Sequence, residues 1–329
     1  MNIAIISVTN QGKKVSNKLY DNLITNPLIL NVHQYHKNVI ETINNIFDKY
    51  DCIIGIMASG IMIRSIAKHV NSKLSDPAIL LIDDNANFVI SLLSGHFGGA
   101  NDLTTKIAEI LDSTPVITTS TDVNKKIGID SIAKQYYCNL ENPKNIKYIN
   151  RALINDIKVD LYLPSKYSYI LNDKIRKSYN TFTDDKYEHI TAKVDDHEVI
   201  LKPKQIVMGI GARKNIETSK VKNAILSACS LLEFSPSRID FFATADVKAN
   251  EQGILENVNN LEKTIKIVPM TEIKSYQNDE CSESDFVMKQ FGVKGVCEPT
   301  CLIANGKNSH LIFKKTAYDG VTIAVSVKE

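Results

Sequence analysis

His96 lies among three glycines, in the segment S-L-L-S-G-H-F-G-G-A-N-D that starts at Ser91. The segment joins an apolar run typical of a strand, Phe88–Leu93, to a run with helical spacing, Ala100–Leu111. Glycines let a ligand come close to the main chain, and the first N–H groups of a helix suit a carboxylate or an oxyanion. The pattern therefore predicts that the ionisable ring of His96 meets a negatively charged substrate. A structural histidine is the alternative interpretation, and in either case we expect Asn101 to cap or stabilise the helix start.

Two further glycine turns follow predicted strands and carry basic residues. The first, I-G-I-M-A-S-G-I-M-I-R, ends at Arg64, and the second, M-G-I-G-A-R-K-N, contains Arg213 and Lys214. The second lacks the third glycine of a dinucleotide-binding motif, and neither ends in Gly-Lys-Ser/Thr, so NAD binding and a P-loop are not expected. Both turns are candidates for binding an anion. The alternative is a tight strand-to-helix turn with solvated charges.

Other arrangements of reactive side chains give weaker predictions. The sequence has no G-x-S-x-G elbow and no serine that can be paired with His96, so hydrolysis by activated water is favoured over a covalent serine. The adjacent carboxylates of Asp83 and Asp84 are better explained by a turn than by acid–base chemistry. Six scattered cysteines form no C-x-x-C pair, and we expect reduced, buried thiols with no metal site and no disulfide. Cys297 and Cys301 share a helix face but have no companion ligands.

The composition excludes several classes of partner. The formal net charge is +2, hydrophobic residues make up 43% of the chain, and Trp is absent. These values give no reason to expect nucleic acid or a membrane surface. The N-terminus lacks the basic and apolar regions of a secretory signal, and no apolar run is long enough to span a bilayer. We therefore expect a cytoplasmic protein.

Strands and helices alternate at both ends of the chain and predict an α/β fold. We expect N-terminal and C-terminal α/β domains of the three-layer type, with mostly parallel sheets, joined by a small α+β central module. The predicted domains are residues 1–123 with the Gly-His loop, 124–202, and 203–329. Within the central module, residues 172–185 are interpreted as a polar excursion.

Several segments together resemble one family. The N-terminal ones are D-P-A-I-L-L-I-D-D from Asp76, F-V-I-S-L-L-S-G-H-F-G-G-A-N and T-P-V-I-T-T-S-T-D from Thr114; the C-terminal ones include V-M-G-I-G-A-R-K, A-T-A-D-V-K-A-N-E and G-V-K-G-V-C-E-P from Gly292. They resemble the CbiG family, the cobalt-precorrin-5A hydrolases of the anaerobic cobalamin (vitamin B12) pathway. Ala212 to Asn215 depart from the family pattern after G-I-G, where a cysteine is frequent, so the resemblance implies no role for a thiol there. The central region matches poorly.

The resemblance implies a hydrolase that acts on a carbon–carbon bond. Water opens the ring A δ-lactone of cobalt-precorrin-5A, and a two-carbon fragment leaves as acetaldehyde, which gives cobalt-precorrin-5B. The expected partners are the cobalt-tetrapyrrole substrate and neighbouring enzymes of the pathway. Cobalt is expected to arrive within the substrate, so no protein-bound cofactor or metal is expected.

On that reaction, His96 is the candidate that activates water, and backbone N–H groups of Gly98, Gly99 or the helix start are candidates for stabilising the oxyanion. The carboxylates of the substrate would be held in a cleft between the terminal domains. The full set of candidate substrate-binding residues is Arg64, Ser94, Gly95, Gly98, Gly99, Asn101, Arg213, Lys214 and Lys248. Glu298 could orient a ring substituent, although a carboxylate at a helix N-terminus explains it better.

Two alternatives stay open. One is a non-catalytic carrier that hands a tetrapyrrole intermediate to neighbouring enzymes, and it differs from the hydrolase in surviving the loss of His96. The other, an enzyme that binds a small anion or nucleotide, rests on fold class alone and lacks a phosphate loop.

Overall fold

The computed structural model describes residues 1–124, 126–282 and 295–329. By their contacts, the residues form two units. The first contains residues 1–134, 140–165 and 171–202, and the second contains 135–139, 166–170 and 203–329. The mixed α/β class predicted from the sequence is confirmed. None of the helices in the described ranges combines the length and the apolar sequence that crossing a bilayer requires.

A six-stranded sheet fills the N-terminal part of the first unit. Its strands are β1 Asn2–Ser7, β2 Asn31–His36, β3 Cys52–Ile56, β4 Ala78–Ile82, β5 Phe88–Leu93 and β6 Thr114–Val116, in the order β2-β1-β3-β4-β5-β6. The helices are α1 Asn10–Leu23, α2 Val39–Ile46, α3 Ser59–Ile66 and α4 Ala100–Leu111. All residues of β3 and β4 are buried, as near-continuous apolar runs predict for strands covered on both faces.

Two apolar clusters cover the faces of this sheet. One packs Leu19 of α1 and Ile107 of α4 against one face, and the other packs Ile43 of α2 and Met62 of α3 against the opposite face. This arrangement is the three-layer packing expected from the sequence.

One strand of the sheet reverses direction, and this decides where His96 lies. Strands β1 to β4 are parallel to one another, whereas β5 is antiparallel to β4, with Leu93 opposite Ile79. Asp83 holds the connecting turn by accepting hydrogen bonds from the backbone N–H of Phe88 (2.7 Å) and Asn85 (3.2 Å) and from the Asn87 side chain. The end of β5 therefore lies at the amino edge of β3 and β4.

A second, five-stranded sheet lies in the central part of the chain. Its elements are α5 Ser120–Val123, α6 Ile129–Gln135, β7 Cys138–Glu141, α7 Ile146–Ile154, β8 Val159–Leu163, α8 Asp173–Ser178, β9 Tyr179–Thr183, β10 Ile190–Val194 and β11 His197–Pro203, with strand order β7-β11-β10-β8-β9. The polar excursion expected over residues 172–185 contains regular structure, because α8 and β9 lie within it. Ile175 and Tyr179 are buried there, so two apolar anchors are enough to order a polar stretch.

The third sheet belongs to the second unit. Its elements are β12 Ile206–Ala212, α9 Thr218–Leu231, β13 Phe241–Ala245, α10 Gln252–Asn260, β14 Ile265–Val268, α11 Met270–Ser275, α12 Cys297–Asn305, β15 Ser309–Tyr318 and β16 Val321–Lys328, in the order β14-β13-β12-β16-β15. The pairs β12–β13 and β13–β14 are parallel, and β12–β16 and β15–β16 are antiparallel. The first three residues of the motif that starts at Gly292 lie outside the described residues.

Candidate functional site

The loop between β5 and α4 makes its own hydrogen bonds to the start of α4. The backbone N–H of Ala100 donates to the carbonyl of Ser94 (3.1 Å), and that of Asn101 donates to the carbonyl of Gly95 (3.0 Å). These two helix amides were predicted to bind an anion, but they already donate hydrogen bonds to carbonyls of the loop. The amides of Gly98 and Gly99 stay as the predicted backbone donors.

Close packing explains two of the glycines. A Cβ at Gly95 would lie 2.7 Å from the side-chain oxygen of Asn101. A Cβ at Gly99 would overlap the ammonium of Lys134, and Gly99 also has φ +88°, which a residue with a side chain rarely adopts. A side chain at Gly95 would therefore have to displace that of Asn101, and one at Gly99 would displace the Lys134 ammonium and strain the backbone.

His96 lies between a buried carboxylate and a hydroxyl. Its Nδ1 is 3.4 Å from Oδ2 of Asp130, and its Nε2 is 2.7 Å from Oγ1 of Thr121. The Asp130 side chain is 3% exposed and that of His96 is 14% exposed. Hydroxyl, imidazole and carboxylate in this order form the arrangement in which a histidine base is oriented by an acid.

Asp130 is ionised in this arrangement. Burial alone would raise the pKa of its carboxyl, but the hydrogen bond and charge of His96, helped by Asn150 and Lys73, hold that pKa below its ordinary value. A carboxylate can only accept a hydrogen bond, so Nδ1 of His96 carries the proton. In the neutral ring, the lone pair is then on Nε2, which accepts from the Thr121 hydroxyl.

A second layer of hydrogen bonds holds Asp130 in place. The Asn150 side chain donates to Oδ1 of Asp130 (2.9 Å), and its own oxygen accepts from the backbone N–H of Ile129 (3.1 Å). Asn150 therefore fixes the start of α6 together with the carboxylate that this helix carries.

Asn101 and Ser94, both predicted to bind substrate, lie inside the loop. Asn101 is 3% exposed; its side-chain oxygen accepts from the Ser91 hydroxyl (2.7 Å) and its amide donates to the Thr119 hydroxyl (2.9 Å). Ser94 is buried with φ +56°, and its Oγ has no hydrogen-bond partner among the described residues. A Cβ at Gly98 would lie 2.5 Å from the Ser94 Cβ. Asn101 thus connects the loop to the segment that carries Thr121.

Helix α6 supplies a second charged residue to the loop. Lys134, one turn after Asp130, places its ammonium against Gly99 and 3.6 Å from Oδ2 of Asp102. Burial lowers the pKa of Lys134, although the charge of Asp102 acts in the opposite direction. Thr121, Asp130 and Lys134 were not predicted from the sequence, because they lie 25, 34 and 38 residues after His96 along the chain.

Arg64 lies away from this loop within the same unit. Helix α3 begins at the carboxyl edge of β3, and the Arg64 guanidinium folds back to 3.1 Å from the position of a Cβ at Gly60. The His96 loop lies at the opposite edge, where a Cβ at Gly98 would be 3.5 Å from the backbone nitrogen of Ala78. Asp84, also at the carboxyl edge, accepts a hydrogen bond from Thr9, which caps α1.

The basic candidates of the second unit surround a separate pocket. Lys214 and Lys248 line a pocket of about 530 Å³ at the ends of β12 and β13, together with Glu217, Asp246 and Glu251. Lys248 lies 3.7 Å from Glu251. Three carboxylates therefore accompany two lysines, so this pocket is not uniformly basic. Arg213, exposed beside it, donates its backbone N–H to the carbonyl of Gly320 (2.9 Å).

Glu298 holds its surroundings together. Its carboxylate, 1% exposed, accepts from the backbone N–H (2.8 Å) and hydroxyl (2.7 Å) of Ser282 and from the backbone N–H of Lys315 (2.8 Å). Three donors account for its burial, so Glu298 connects α12 to β15. Of the six cysteines, all free, only Cys281 is not buried, as expected for packed thiols. In the described ranges, no group of three or more His, Cys, Asp and Glu is arranged to hold a metal ion.

Two family models match the chain. The model described as cobalamin synthesis G N-terminal matches residues 41–122, and the one described as cobalamin synthesis G C-terminus matches residues 206–326. His96 and Thr121 lie inside the first match, whereas Asp130 and Lys134 lie between the two.

Relatives with similar sequences carry a common name. A protein of Methanocaldococcus jannaschii named "Probable cobalt-precorrin-5A hydrolase" is 35% identical over 100% of this chain and 99% of its own. Proteins of Priestia megaterium and Salmonella typhimurium named cobalt-precorrin-5A hydrolase are 27% and 28% identical, over 90% and 87% of this chain and 84% of each relative. The crystal structure of a cobalamin biosynthesis protein G homolog from Sulfolobus solfataricus is 30% identical, with a TM-score of 0.61 over 100% of this chain and 97% of that one.

Proposed function

The chain belongs to the CbiG family of cobalamin synthesis proteins, and from that premise we propose that it hydrolyses cobalt-precorrin-5A with His96 as the general base. It is an enzyme of cobalamin biosynthesis, as the names of its relatives indicate. The reaction is the opening of the ring A δ-lactone by water and the release of acetaldehyde, which gives cobalt-precorrin-5B. The observation that carries the residue assignment is the placement of His96 between Thr121 and the buried Asp130.

The first step is the attack of water on the lactone carbonyl. Asp130 keeps the proton of His96 on Nδ1, so Nε2 is the nitrogen that takes a proton from water. The Thr121 hydroxyl occupies the donor position at Nε2. When substrate is bound, the attacking water replaces this hydroxyl as the hydrogen-bond donor to Nε2. The imidazolium that forms is then paired with the Asp130 carboxylate, which lowers the free energy of the charged state.

The second step releases the two-carbon fragment. Collapse of the tetrahedral intermediate breaks the bond between the acyl carbon and the ring oxygen, which leaves an alkoxide on the fragment and a carboxylic acid on ring A. The alkoxide electrons then form the C=O of acetaldehyde as the bond to the macrocycle breaks. The macrocycle carbon receives that electron pair and takes the proton from Nε2 of His96, so the base returns to its starting state. Cobalt, which arrives as part of the substrate, helps by drawing electrons from the macrocycle.

The substrate-binding residues have separate tasks in this proposal. The amides of Gly98 and Gly99 face the developing oxyanion. Gly95 and Asn101 act by fixing the shape of the loop, because Asn101 is buried and Gly95 packs on it. The buried Ser94 hydroxyl, which has no partner among the described residues, binds a polar group of the substrate. Carboxylates at the periphery of the macrocycle are partners for cationic side chains. The cationic candidates are Arg64, Arg213, Lys214 and Lys248.

The experiment is the incubation of purified protein with cobalt-precorrin-5A, with acetaldehyde and the mass of the corrinoid followed together. We expect one acetaldehyde per corrinoid, and a corrinoid product lighter by acetaldehyde and heavier by one water. Tight binding without acetaldehyde would instead identify a carrier of tetrapyrrole intermediates. A protein that neither binds nor converts cobalt-precorrin-5A would contradict the substrate assignment.

A further inference from the structure

We propose that Lys134 is the cation that stabilises the oxyanion formed when the lactone carbonyl is attacked. This inference rests on the proposed function and adds a catalytic residue to it. Lys134 comes from α6, which lies between the two segments that match the family models. Its ammonium lies against Gly99, at the start of α4.

The position of Lys134 does not favour the stability of the loop. The N-terminus of a helix carries a partial positive charge, so a second cation there raises the free energy of the folded state. The side chain of Lys134 is only 27% exposed, which removes part of the water that would screen this repulsion. A positive side chain held at a positive helix end is instead suited to a ligand that carries negative charge.

Asp102 does not neutralise this site. Its carboxylate is 3.6 Å from the ammonium but is 73% exposed, so water screens the attraction between them. Asp102 also lies in the first turn of α4, where a carboxylate is favoured by the helix dipole itself. On its other side the ammonium packs directly on the backbone of Gly99. A Cβ at that position would overlap Lys134, so the close approach depends on the glycine.

The spacing along α6 fits a residue that orients the base and a residue that binds the oxyanion. Asp130 and Lys134 are four residues apart on one helix, so their side chains share a face with about 6 Å between Cβ atoms. Asp130 orients His96, and Lys134 lies at the end of the same loop. The attacking water lies about 3 Å from the base, and the carbonyl lies about 3 Å from that water. The oxyanion donor must therefore lie on the order of 6 Å from the base, which is comparable to the spacing of Asp130 and Lys134 along α6. One helix face therefore places both groups.

An unpaired hydroxyl gives independent support for a ligand here. The Oγ of Ser94 is buried without a hydrogen-bond partner among the described residues, and Ser94 is only 8% exposed. Ser94 packs against Gly98, next to the glycine that Lys134 covers. Buried hydroxyls without partners are uncommon, and a polar group of the substrate in this loop supplies one.

The chemical role requires no proton transfer from Lys134. As water attacks, the carbonyl π electrons move onto the oxygen, and the Lys134 N–H donates a hydrogen bond to it. The proton stays on Nζ while His96 takes the proton of the water. Because the negative charge exists in the intermediate and not in the lactone, the interaction lowers the barrier more than it strengthens binding.

The test is steady-state acetaldehyde release by Lys134→Met and Lys134→Arg. We expect Lys134→Met to lower kcat by about 100-fold with KM changed less than threefold, the loss typical of one oxyanion donor. Lys134→Arg keeps the charge and is expected to retain more activity than Lys134→Met. A packing role gives the opposite order, because Met fits the space of Lys better than Arg does. The matched control is Lys18→Met, which removes an exposed lysine from α1 and should leave kcat unchanged.

Gly99→Ala keeps the test decisive if the lysine variants unfold. Its new Cβ displaces the ammonium while the lysine stays in the chain, so kcat should fall as it is expected to in Lys134→Met. Equal kcat in Lys134→Met and wild type, with wild type active, would overturn the inference and leave the hydrolase intact. An inactive wild-type protein would instead count against the proposed function. Thermal unfolding of each variant shows whether a loss of activity is a loss of folding.

Discussion

The His96 loop of the first unit and the lysine-lined pocket of the second unit use charge in different ways. Around His96, Asp130 is 3% exposed and its oxygens are bound by side chains from three separate segments. In the pocket, Lys248 pairs with Glu251 three residues away, and Lys214 is exposed. Burying a charge costs free energy unless it is paired, and both carboxylates are paired. The buried Glu251 pairs with Lys248 and accepts from the backbone N–H of Ile216, which explains it structurally. The partner of Asp130 is instead an imidazole, the side chain suited to exchanging protons near neutral pH.

This contrast indicates which basic residues matter for chemistry. The charged turns of the second unit resemble those of the first in sequence, since both follow strands and contain glycine. Only in the first unit do distant segments place a carboxylate, a hydroxyl and an imidazole in contact. Contact between residues far apart in the sequence is thus a better guide to the catalytic group than a motif of neighbouring residues.

The largest effect we expect from a partner of His96 is that of Asp130→Asn. An amide in place of the carboxylate loses the charge that stabilises the imidazolium and can hold the ring in the other tautomer. We expect kcat to fall by about 10⁴-fold, the loss typical of replacing the aspartate that orients a catalytic histidine. Acetaldehyde release under saturating substrate measures it. A kcat within fivefold of wild type would show that the buried carboxylate serves folding alone.

The counterpart in the second unit is Lys248→Ala. If Lys248 only binds a peripheral carboxylate of the substrate, kcat is unchanged and KM rises by up to about fivefold, as expected for one solvent-accessible ion pair. The same assay over a range of substrate concentrations separates the two constants. A kcat loss as large as that of Asp130→Asn would erase the distinction between the two regions.

A smaller effect concerns stability at low pH. The pKa of Asp130 is held below its ordinary value in the folded protein, so its charge stabilises the fold above the unfolded pKa of about 3.9. This contribution is lost as the pH falls through the folded pKa. Asp130→Asn should therefore lower the free energy of unfolding by about 2 kcal/mol at pH 7, and the difference from wild type should shrink below pH 4.

Urea unfolding at pH 7 and at pH 3.5 measures this difference. A constant gap between wild type and Asp130→Asn at both pH values would mean that the Asp130 carboxyl has an ordinary pKa.

Local sequence pattern was sufficient for the reactive loop itself. The apolar run before His96 and the helical spacing after it predict β5 and α4 with the bounds that the structure has. Glycines at loop positions and an apolar run of strand length depend on neighbouring residues, which a sequence displays directly.

The partners of His96 could not be predicted in the same way. Asp130 is 34 residues away and looks like an ordinary first-turn carboxylate of α6, and Thr121 lies in a short helix. One usable indication was missed: only residues 83–87 separate β4 from β5, too few for a parallel crossover. That length predicts that β5 runs antiparallel to β4. It therefore also predicts that His96 and Arg64 lie at opposite edges of the sheet.

The most direct test of the central claim is a single-turnover reaction of His96→Ala with cobalt-precorrin-5A, beside His36→Ala. His36, on β2, also contacts a hydroxyl, with its Nδ1 3.0 Å from Oγ of Ser7, which makes it a matched control. The account predicts that acetaldehyde release falls at least 100-fold in His96→Ala, with the corrinoid still bound, and stays within threefold of wild type in His36→Ala. Release at the wild-type rate by a folded His96→Ala protein would contradict the assignment of His96 as the base.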